Sequence, residues 1–194
     1  MELVRGYFNS YRVNDSNILN ESYSRTRYFS STGIRSAAGT TVFISHKHSD
    51  LQDLDGLLNY LKKEYNVVPY IDSMDKCMPQ ETCADTAVRI KEVINSCERF
   101  LLLATNKALE SKWCNWEVGI ADKMKLPSNN MAILPMKDTR DSLYEGEEYL
   151  EIYPYVDEWV NYAGRKVLTV IYKDASGNTK RVSLRDWLSG SGNY

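Results

Sequence analysis

The sequence has no long hydrophobic run, no strong charge of one sign and few histidines. No apolar stretch approaches the ~20 residues that a membrane-spanning helix needs. The formal net charge is −2, so there is no overall positive field to hold nucleic acid by its phosphates. The first ten residues, MELVRGYFNS, lack the apolar core of a signal peptide. These absences predict a cytoplasmic protein with no nucleic-acid or membrane partner.

Cysteine is also scarce, and its spacing excludes two kinds of site. Cys77, Cys83, Cys97 and Cys114 are the four cysteines, and no two of them form a Cys-x-x-Cys pair. The sequence therefore signals neither a zinc knuckle nor a thioredoxin-type centre. In a cytoplasmic protein these four side chains are expected to be reduced thiols.

The only two histidines stand together in 42-VFISHKHSDL-51, where His46, His48 and Asp50 occupy alternate positions after an apolar strand. Zinc hydrolases of the metallo-β-lactamase kind use His-x-His-x-Asp-His, but Leu51 stands at the last of these positions. A catalytic zinc site usually has three protein ligands, most often histidines, and this chain has no third histidine. We therefore predict no metal. The alternative interpretation is an exposed polar loop in which Asp50 caps the next helix.

Composition divides the 194 residues into three parts. Residues 1–40 are rich in Ser, Asn, Tyr and Arg and are predicted to be a polar extension with a short helix near Ile18 to Tyr28. This extension could dock on the core or on another copy. Residues 41–160 form the main α/β domain, and residues 161–194 form a C-terminal hairpin and tail packed on it.

Strand and helix patterns alternate through the main domain. Apolar runs predict strands at 41–45, 67–71, 100–104, 131–135 and 152–156. Helical spacing predicts helices from about residue 51 to 64, from Thr82, and over 112–125 with Ser111 as the cap. This order indicates a parallel sheet covered by helices on both faces, with ligands at the carboxyl ends of the strands. The Ser-Gly-Asn turn near residue 177 predicts an edge hairpin, with Trp187 anchoring the tail.

The segment 111-SKWCNWEVGIAD-122 carries the clearest chemical signal. Trp113 and Glu117 are four residues apart and therefore share a helix face. A carboxylate beside an indole suits a ligand with a positively charged ring. The alternative is that Trp113 packs at the junction of helix and sheet while Glu117 is exposed to solvent.

Three stretches together resemble the Toll/interleukin-1 receptor (TIR) domain family: TVFISHKHSD, YIDSMDKCMP and SKWCNWEVGIAD. Ser111, Trp113, Cys114 and Glu117 match the family motif Ser-x-Trp-Cys-x-x-Glu. The resemblance covers about residues 41–160 and is greatest to stand-alone bacterial TIR domains such as those of Thoeris anti-phage systems. It implies a flavodoxin-like three-layer sandwich with a five-stranded parallel sheet.

The resemblance also implies a function. Many such domains cleave NAD between nicotinamide and ribose, so NAD is expected as substrate and no cofactor is expected. The product would be ADP-ribose or a cyclic or conjugated derivative that signals to a separate effector. Assembly with other TIR copies is expected through a loop containing Met74, Met78 and Pro79. The alternative is a non-enzymatic TIR adaptor. The implied site has Glu117 as catalytic residue and Phe43, Ser45, His46, Lys47, Asp72 and Trp113 as substrate-binding residues.

Overall fold

The computed structural model describes residues 3–13, 39–72, 84–142 and 148–191. The strands are β1 Leu3–Val4, β2 Thr41–Ser45, β3 Val68–Tyr70, β4 Arg99–Ala104, β5 Met131–Lys137, β6 Tyr155–Val160, β7 Lys166–Lys173 and β8 Thr179–Ser183. The helices are α1 Leu51–Tyr65, α2 Ala84–Ser96, α3 Asn106–Leu109, α4 Lys112–Lys125 and α5 Leu184–Ser189, with short 3-10 turns at Asn9–Tyr11, His48–Asp50, Leu126–Ser128 and Glu148–Ile152.

The described residues form one eight-stranded sheet, in the order β3-β2-β4-β5-β6-β7-β8, with β1 added beside β5. The pairs from β3 through β6 are all parallel. Their order is that of flavodoxin-like proteins. The predicted five-stranded parallel sheet is therefore confirmed, and antiparallel β7 and β8 extend it at one edge.

Helices cover both faces of the parallel strands, so the strands are buried on both sides. Every residue of β2 and β4 is buried. One core cluster packs β2, β4 and β5 against α1, the N-terminal segment and α5. The other packs the opposite face against α2 and α4. Strands covered on both faces are apolar without alternation, which is the pattern that made them recognisable in the sequence.

The fifth parallel strand begins later than the sequence indicates. Residues 148–152 form a 3-10 turn, and the strand runs over Tyr155–Val160. Ile152, whose apolar side chain suggested a strand there, is 66% exposed. Leu150 and Tyr153 face the core instead, so the apolar residues of this segment follow a turn and not the alternation of a strand.

The described part of the polar extension, residues 3–13, packs on the core of the same chain. Leu3 pairs with Met136 at the far end of β5, and Phe8 is 2% exposed beneath α1. Gly56 of α1 permits this contact, because a Cβ atom there would lie 2.6 Å from the carbonyl oxygen of Phe8. The helix predicted near residues 18–28 lies outside the described residues.

The C-terminal hairpin forms as predicted, from β7 and β8. Trp187 is fully buried on α5, and its indole Nε1 donates a hydrogen bond to the carbonyl oxygen of Asn129 at 2.7 Å. The predicted anchoring of the tail by Trp187 is confirmed. Within the described residues, no helix combines the length and apolarity needed to cross a membrane.

Candidate functional site

Ser45 and Glu117 meet at the carboxyl end of the parallel sheet. Ser45 is the last residue of β2, and its hydroxyl donates a hydrogen bond to Oε2 of Glu117 at 2.5 Å. The two residues are 72 positions apart in the chain, and both are buried, with 1% and 3% of their surfaces exposed. The alternative interpretation of Glu117 as a solvent-exposed side chain is therefore wrong.

The sequence of α4 explains why Glu117 points inward. The Ser111 hydroxyl accepts a hydrogen bond from the Cys114 amide and starts the helix, as the sequence predicts. Cys114, Val118 and Ala121 are fully buried against the sheet. Glu117 is one residue before Val118 and lies at the edge of the same buried face. A long side chain at that position extends along the sheet toward the end of β2.

The surroundings of Glu117 favour its neutral form. The pKa of the Glu117 carboxyl is raised to about 8. Burial is the main cause, and the nearby negative charge of Asp72 is the second. The hydrogen bond from Ser45 acts in the opposite direction, because it stabilises the carboxylate. At neutral pH the acid therefore retains its proton in most molecules. A raised carboxyl pKa beside a second acid is a recurring feature of functional sites.

Asp72 follows β3 and lies close enough to act electrostatically on both Glu117 and His46. His46 directly follows Ser45 and is buried, with its Nδ1 atom 3.4 Å from the carbonyl oxygen of Ile44. Burial lowers the pKa of the His46 imidazole, and the charge of Asp72 opposes that change. The structure thus brings four predicted residues, Ser45, His46, Asp72 and Glu117, to one edge of the sheet.

The loop after His46 is only partly exposed, which corrects one interpretation of the sequence. Lys47 is half-buried and His48 is exposed, but Asp50 is completely buried. Asp50 is the N-cap residue directly before α1, yet its carboxylate makes no capping hydrogen bond with that helix. Its oxygens instead accept a hydrogen bond from Thr105 at 2.5 Å and pair with Arg5 at 3.1 Å. Both partners are distant in sequence, so local helix-start rules could not identify them.

The histidine loop does not assemble a metal site in this conformation. Among the described residues, no three His, Cys, Asp or Glu side chains are grouped closely enough to hold a metal ion. The Asp50 carboxylate is already engaged by Thr105 and Arg5. His46 is buried while His48 faces solvent, so the His-x-His-x-Asp spacing does not give three ligands directed at one point.

Phe43 does not face a cleft, in contrast to its expected role at the wall of the substrate site. Its ring is 1% exposed and stacks between Tyr70, at a centroid distance of 5.5 Å, and Phe100, at 5.6 Å. This residue points into the core between the sheet and α2. Side chains alternate in direction along β2. Phe43 therefore faces the core beside α2, whereas Val42 and Ile44 face the core beside α1.

Trp113 lies one helical turn before Glu117, at the rim of an open groove. The groove has a volume of about 350 Å³ and is lined by Ala87, Lys112, Trp113 and Trp116. Trp113 is 38% exposed and packs edge-to-face on Trp116, with ring centroids 5.2 Å apart. The aromatic surface predicted from the sequence is therefore partly exposed to solvent. Glu117 itself is 3% exposed and does not line the groove.

The expected assembly loop, which contains Met74, Met78 and Pro79, lies outside the described residues. Thr105 directly follows β4 and lies at the same edge of the sheet. Its hydroxyl accepts a hydrogen bond from the Ala108 amide while donating to Asp50, so one side chain joins two loops of the site.

Three comparisons relate this chain to known proteins. Residues 42–170 match the TIR domain family. A probable 3' cyclic ADP-D-ribose synthase, ThsB', of Bacillus cereus (strain MSX-D12) is 34% identical over 119 residues. That alignment covers 59% of this chain and 59% of the relative, so the chain matches less than two thirds of the relative's length. The crystal structure of a prokaryotic SEFIR domain aligns with a TM-score of 0.43 at 14% identity, over 64% of this chain and 83% of that chain. The family match spans well over half of the sequence, and the chain belongs to the TIR domain family.

Proposed function

We propose that this TIR domain cleaves NAD at the bond between nicotinamide and ribose, with Glu117 as the catalytic carboxylate. The observation that carries the proposal is the buried Glu117 carboxyl held by Ser45 at the carboxyl end of the sheet, with Asp72 nearby. The similarity to a protein named as a probable cyclic ADP-ribose synthase supports the same substrate.

The chemistry explains why one carboxylate is sufficient. Glycosidases usually need a second acid to protonate a poor leaving group. Nicotinamide leaves from a pyridinium as a neutral amide and needs no proton. The remaining task is to stabilise the positive charge that develops on the ribose, through a carboxylate and hydrogen bonds to the hydroxyls. Glu117 has the charge for this task once it is ionised.

Ionisation of Glu117 is therefore part of the proposed mechanism. In the free protein its carboxyl is mostly neutral near pH 7, since its pKa is raised to about 8. A pyridinium bound nearby would favour the carboxylate, because an opposite charge lowers the pKa of an acid. The value of kcat/KM reports ionisations of the free enzyme. It should accordingly rise with pH, reach half of its plateau value near pH 8 and level off above that pH.

Other residues of the site are proposed to position the nucleotide. Trp113 offers an exposed ring surface one turn from Glu117, suited to stacking on a base. His46 and half-buried Lys47 lie just beyond Ser45 and are proposed to contact the phosphates or ribose, together with Asp72. Because Glu117 is only 3% exposed, surrounding side chains must move before a ribose can reach it.

This concealed carboxyl is consistent with a resting state that assembly activates. We propose that TIR copies associate through the loop containing Met74, Met78 and Pro79. The product is proposed to be a cyclic or conjugated ADP-ribose derivative that acts on a separate effector in anti-phage defence. If specific activity remains constant when the protein is diluted to a strictly monomeric state, activation by assembly is excluded.

The decisive experiment compares wild type, Glu117→Gln and Glu110→Gln during incubation with NAD, with products separated by chromatography and identified by mass. Glu110 is exposed, so its variant controls for the loss of a carboxylate elsewhere on the surface. We expect Glu117→Gln to reduce kcat by roughly 10²-fold or more, as removal of a single charge-stabilising group often does, and Glu110→Gln to leave it unchanged. Equal product formation by wild type and Glu117→Gln would contradict the catalytic role of Glu117, and a lack of product from all three proteins would favour the adaptor alternative.

A further inference from the structure

Asp50 is a fully buried carboxylate at the end of the loop that begins with Ser45. Its backbone amide donates to the carbonyl oxygen of Lys47 at 2.8 Å, which closes the loop into a compact turn. Its side chain holds that turn against β4 through Thr105, at 2.5 Å. A buried carboxylate destabilises its surroundings unless it is paired, so the position of this loop depends on the charge opposite Asp50.

The opposite charge comes from Arg5, in the N-terminal segment. Nη2 of Arg5 lies 3.1 Å from Asp50, and Nε donates to Asp53 at 2.8 Å. Nη1 reaches the more exposed Asp138 at 3.4 Å, so the three guanidinium nitrogens each face a different carboxylate. The planar fork of an arginine suits this arrangement better than the single ammonium of a lysine.

The backbone around Arg5 fixes the guanidinium in this position. The Arg5 amide donates to the carbonyl oxygen of Lys137 at 2.8 Å, continuing the pairing of β1 with β5. The Gly6 amide donates to Asp53 at 2.7 Å, and Phe8 is buried beneath α1 two residues later. The segment is thus attached to the core on both sides of Arg5. It lies outside residues 42–170, which carry the family match.

We propose that Arg5 is a positioning residue for the reaction proposed above, acting through Asp50 on the loop that carries Ser45, His46 and Lys47. By neutralising Asp50, Arg5 keeps this loop in the conformation in which Ser45 meets Glu117. Residues 3–13 would then be a working part of the site and not only a structural addition. The inference rests on the proposed function for its kinetic consequence, but its structural consequence is independent of NAD.

The test uses the whole 194-residue chain and four variants: Arg5→Met, Arg5→Lys, Arg5→Met combined with Asp50→Asn, and Arg12→Met. Arg12 is in the same segment, and its side chain forms no ion pair with any other described residue. The measurements are kcat and KM with NAD, the thermal unfolding midpoint, and hydrogen exchange of backbone amides over residues 43–51. If Arg5→Met does not fold, Arg5→Lys carries the comparison.

For Arg5→Met we expect exchange over residues 45–50 to accelerate about tenfold and kcat/KM to fall roughly 10- to 100-fold, since small displacements of reacting groups have effects of that size. Arg5→Lys should restore part of the activity. Removing the buried charge with Asp50→Asn should make Arg5 less necessary, so the double variant should be more active and better protected than Arg5→Met. Arg12→Met should match wild type.

Three results would overturn the inference. The first is unchanged exchange over residues 45–50 in Arg5→Met relative to Arg12→Met. The second is a double variant no better than Arg5→Met, which would show that Arg5 does not act through Asp50. The third is equal cleavage of NAD by wild type and Arg5→Met. If wild type does not cleave NAD, the proposed function fails, and the exchange measurements still decide whether Arg5 positions the loop. If wild type and Arg5→Met cleave NAD equally, the inference about Arg5 fails alone.

Discussion

Replacement of Glu117 by glutamine should stabilise the protein at high pH much more than at low pH. The carboxyl has its pKa raised from 4.5 to about 8, with burial as the main cause and Asp72 as the second. Glutamine has nearly the same shape and can still accept the hydrogen bond from Ser45, but it has no ionised form. The comparison therefore isolates the cost of a buried negative charge.

The sign and size of the effect follow from proton linkage. Below pH 4.5 Glu117 is protonated in both folded and unfolded chains, and its contribution to stability is fully present. As pH rises toward 8 the unfolded chain releases the proton first, so wild type loses stability across this window. Each pKa unit corresponds to about 1.4 kcal/mol, which gives a loss of at most about 5 kcal/mol by pH 8. Glu117→Gln lacks this loss.

Urea denaturation at pH 5, 6, 7 and 8 would measure the free energy of unfolding of wild type, Glu117→Gln and Glu110→Gln. The stability of Glu117→Gln relative to wild type should increase by a few kcal/mol from pH 5 to pH 8. Contributions from all other groups that are unchanged between the two proteins cancel in this difference. Glu110→Gln should follow wild type throughout. A constant difference between Glu117→Gln and wild type would show that the carboxyl does not retain its proton in the folded protein.

Three further predictions test separate contacts. Ser45→Ala removes the hydrogen bond that favours the Glu117 carboxylate, so the rise of kcat/KM with pH should move to higher pH in a pH–rate profile. Gly56→Ala should destabilise the protein, because a Cβ atom there would meet the backbone at residue 8. Gly119→Ala, with open space around it, should stabilise the protein by about 0.5–1 kcal/mol through helix propensity. Thermal unfolding should show a lower midpoint for the first variant and a higher midpoint for the second. Trp187→Phe should lower the free energy of unfolding by about 1–3 kcal/mol, since it leaves the carbonyl oxygen of Asn129 without its indole donor, and urea denaturation would measure this loss.

The parallel core of this fold could be predicted from local sequence because its strands are buried on both faces. The apolar runs that became β2, β4 and β5 need no knowledge of their partners to be recognised. The strand at residues 155–160 was harder to place, since its residues pair mainly with β7 and half of them are exposed. The segment before it follows a 3-10 turn whose apolar residues do not alternate, so its boundary could not be found from periodicity.

The candidate site shows a similar division. Residues Ser45 and Glu117 could be named from motifs, but their hydrogen bond joins positions 72 residues apart and became visible only in the folded chain. The roles of Asp50 and Arg5 could not be predicted at all. Asp50 occupies a position where local rules favour a helix cap, and a partner 45 residues away overrides that preference. The polar composition of residues 1–40 left open whether the extension docks on the core or on another copy, and the structure shows that Arg5 and Phe8 contact the core of the same chain.

The site combines features that oppose folding with others that compensate for them. Burying Glu117 beside Asp72 disfavours the folded state at neutral pH, because one acid must keep its proton or two like charges must share a poorly hydrated space. Pairing of Arg5 with Asp50 and Asp53 provides charge compensation in the adjacent loop. A destabilising site with compensating contacts nearby is expected where function requires an arrangement that stability alone would not favour. The same substitution, Glu117→Gln, should therefore increase stability at pH 8 and abolish most cleavage of NAD. This opposition distinguishes a catalytic carboxylate from a carboxyl retained only for packing, because a packing role would make the loss of activity and the loss of stability occur together.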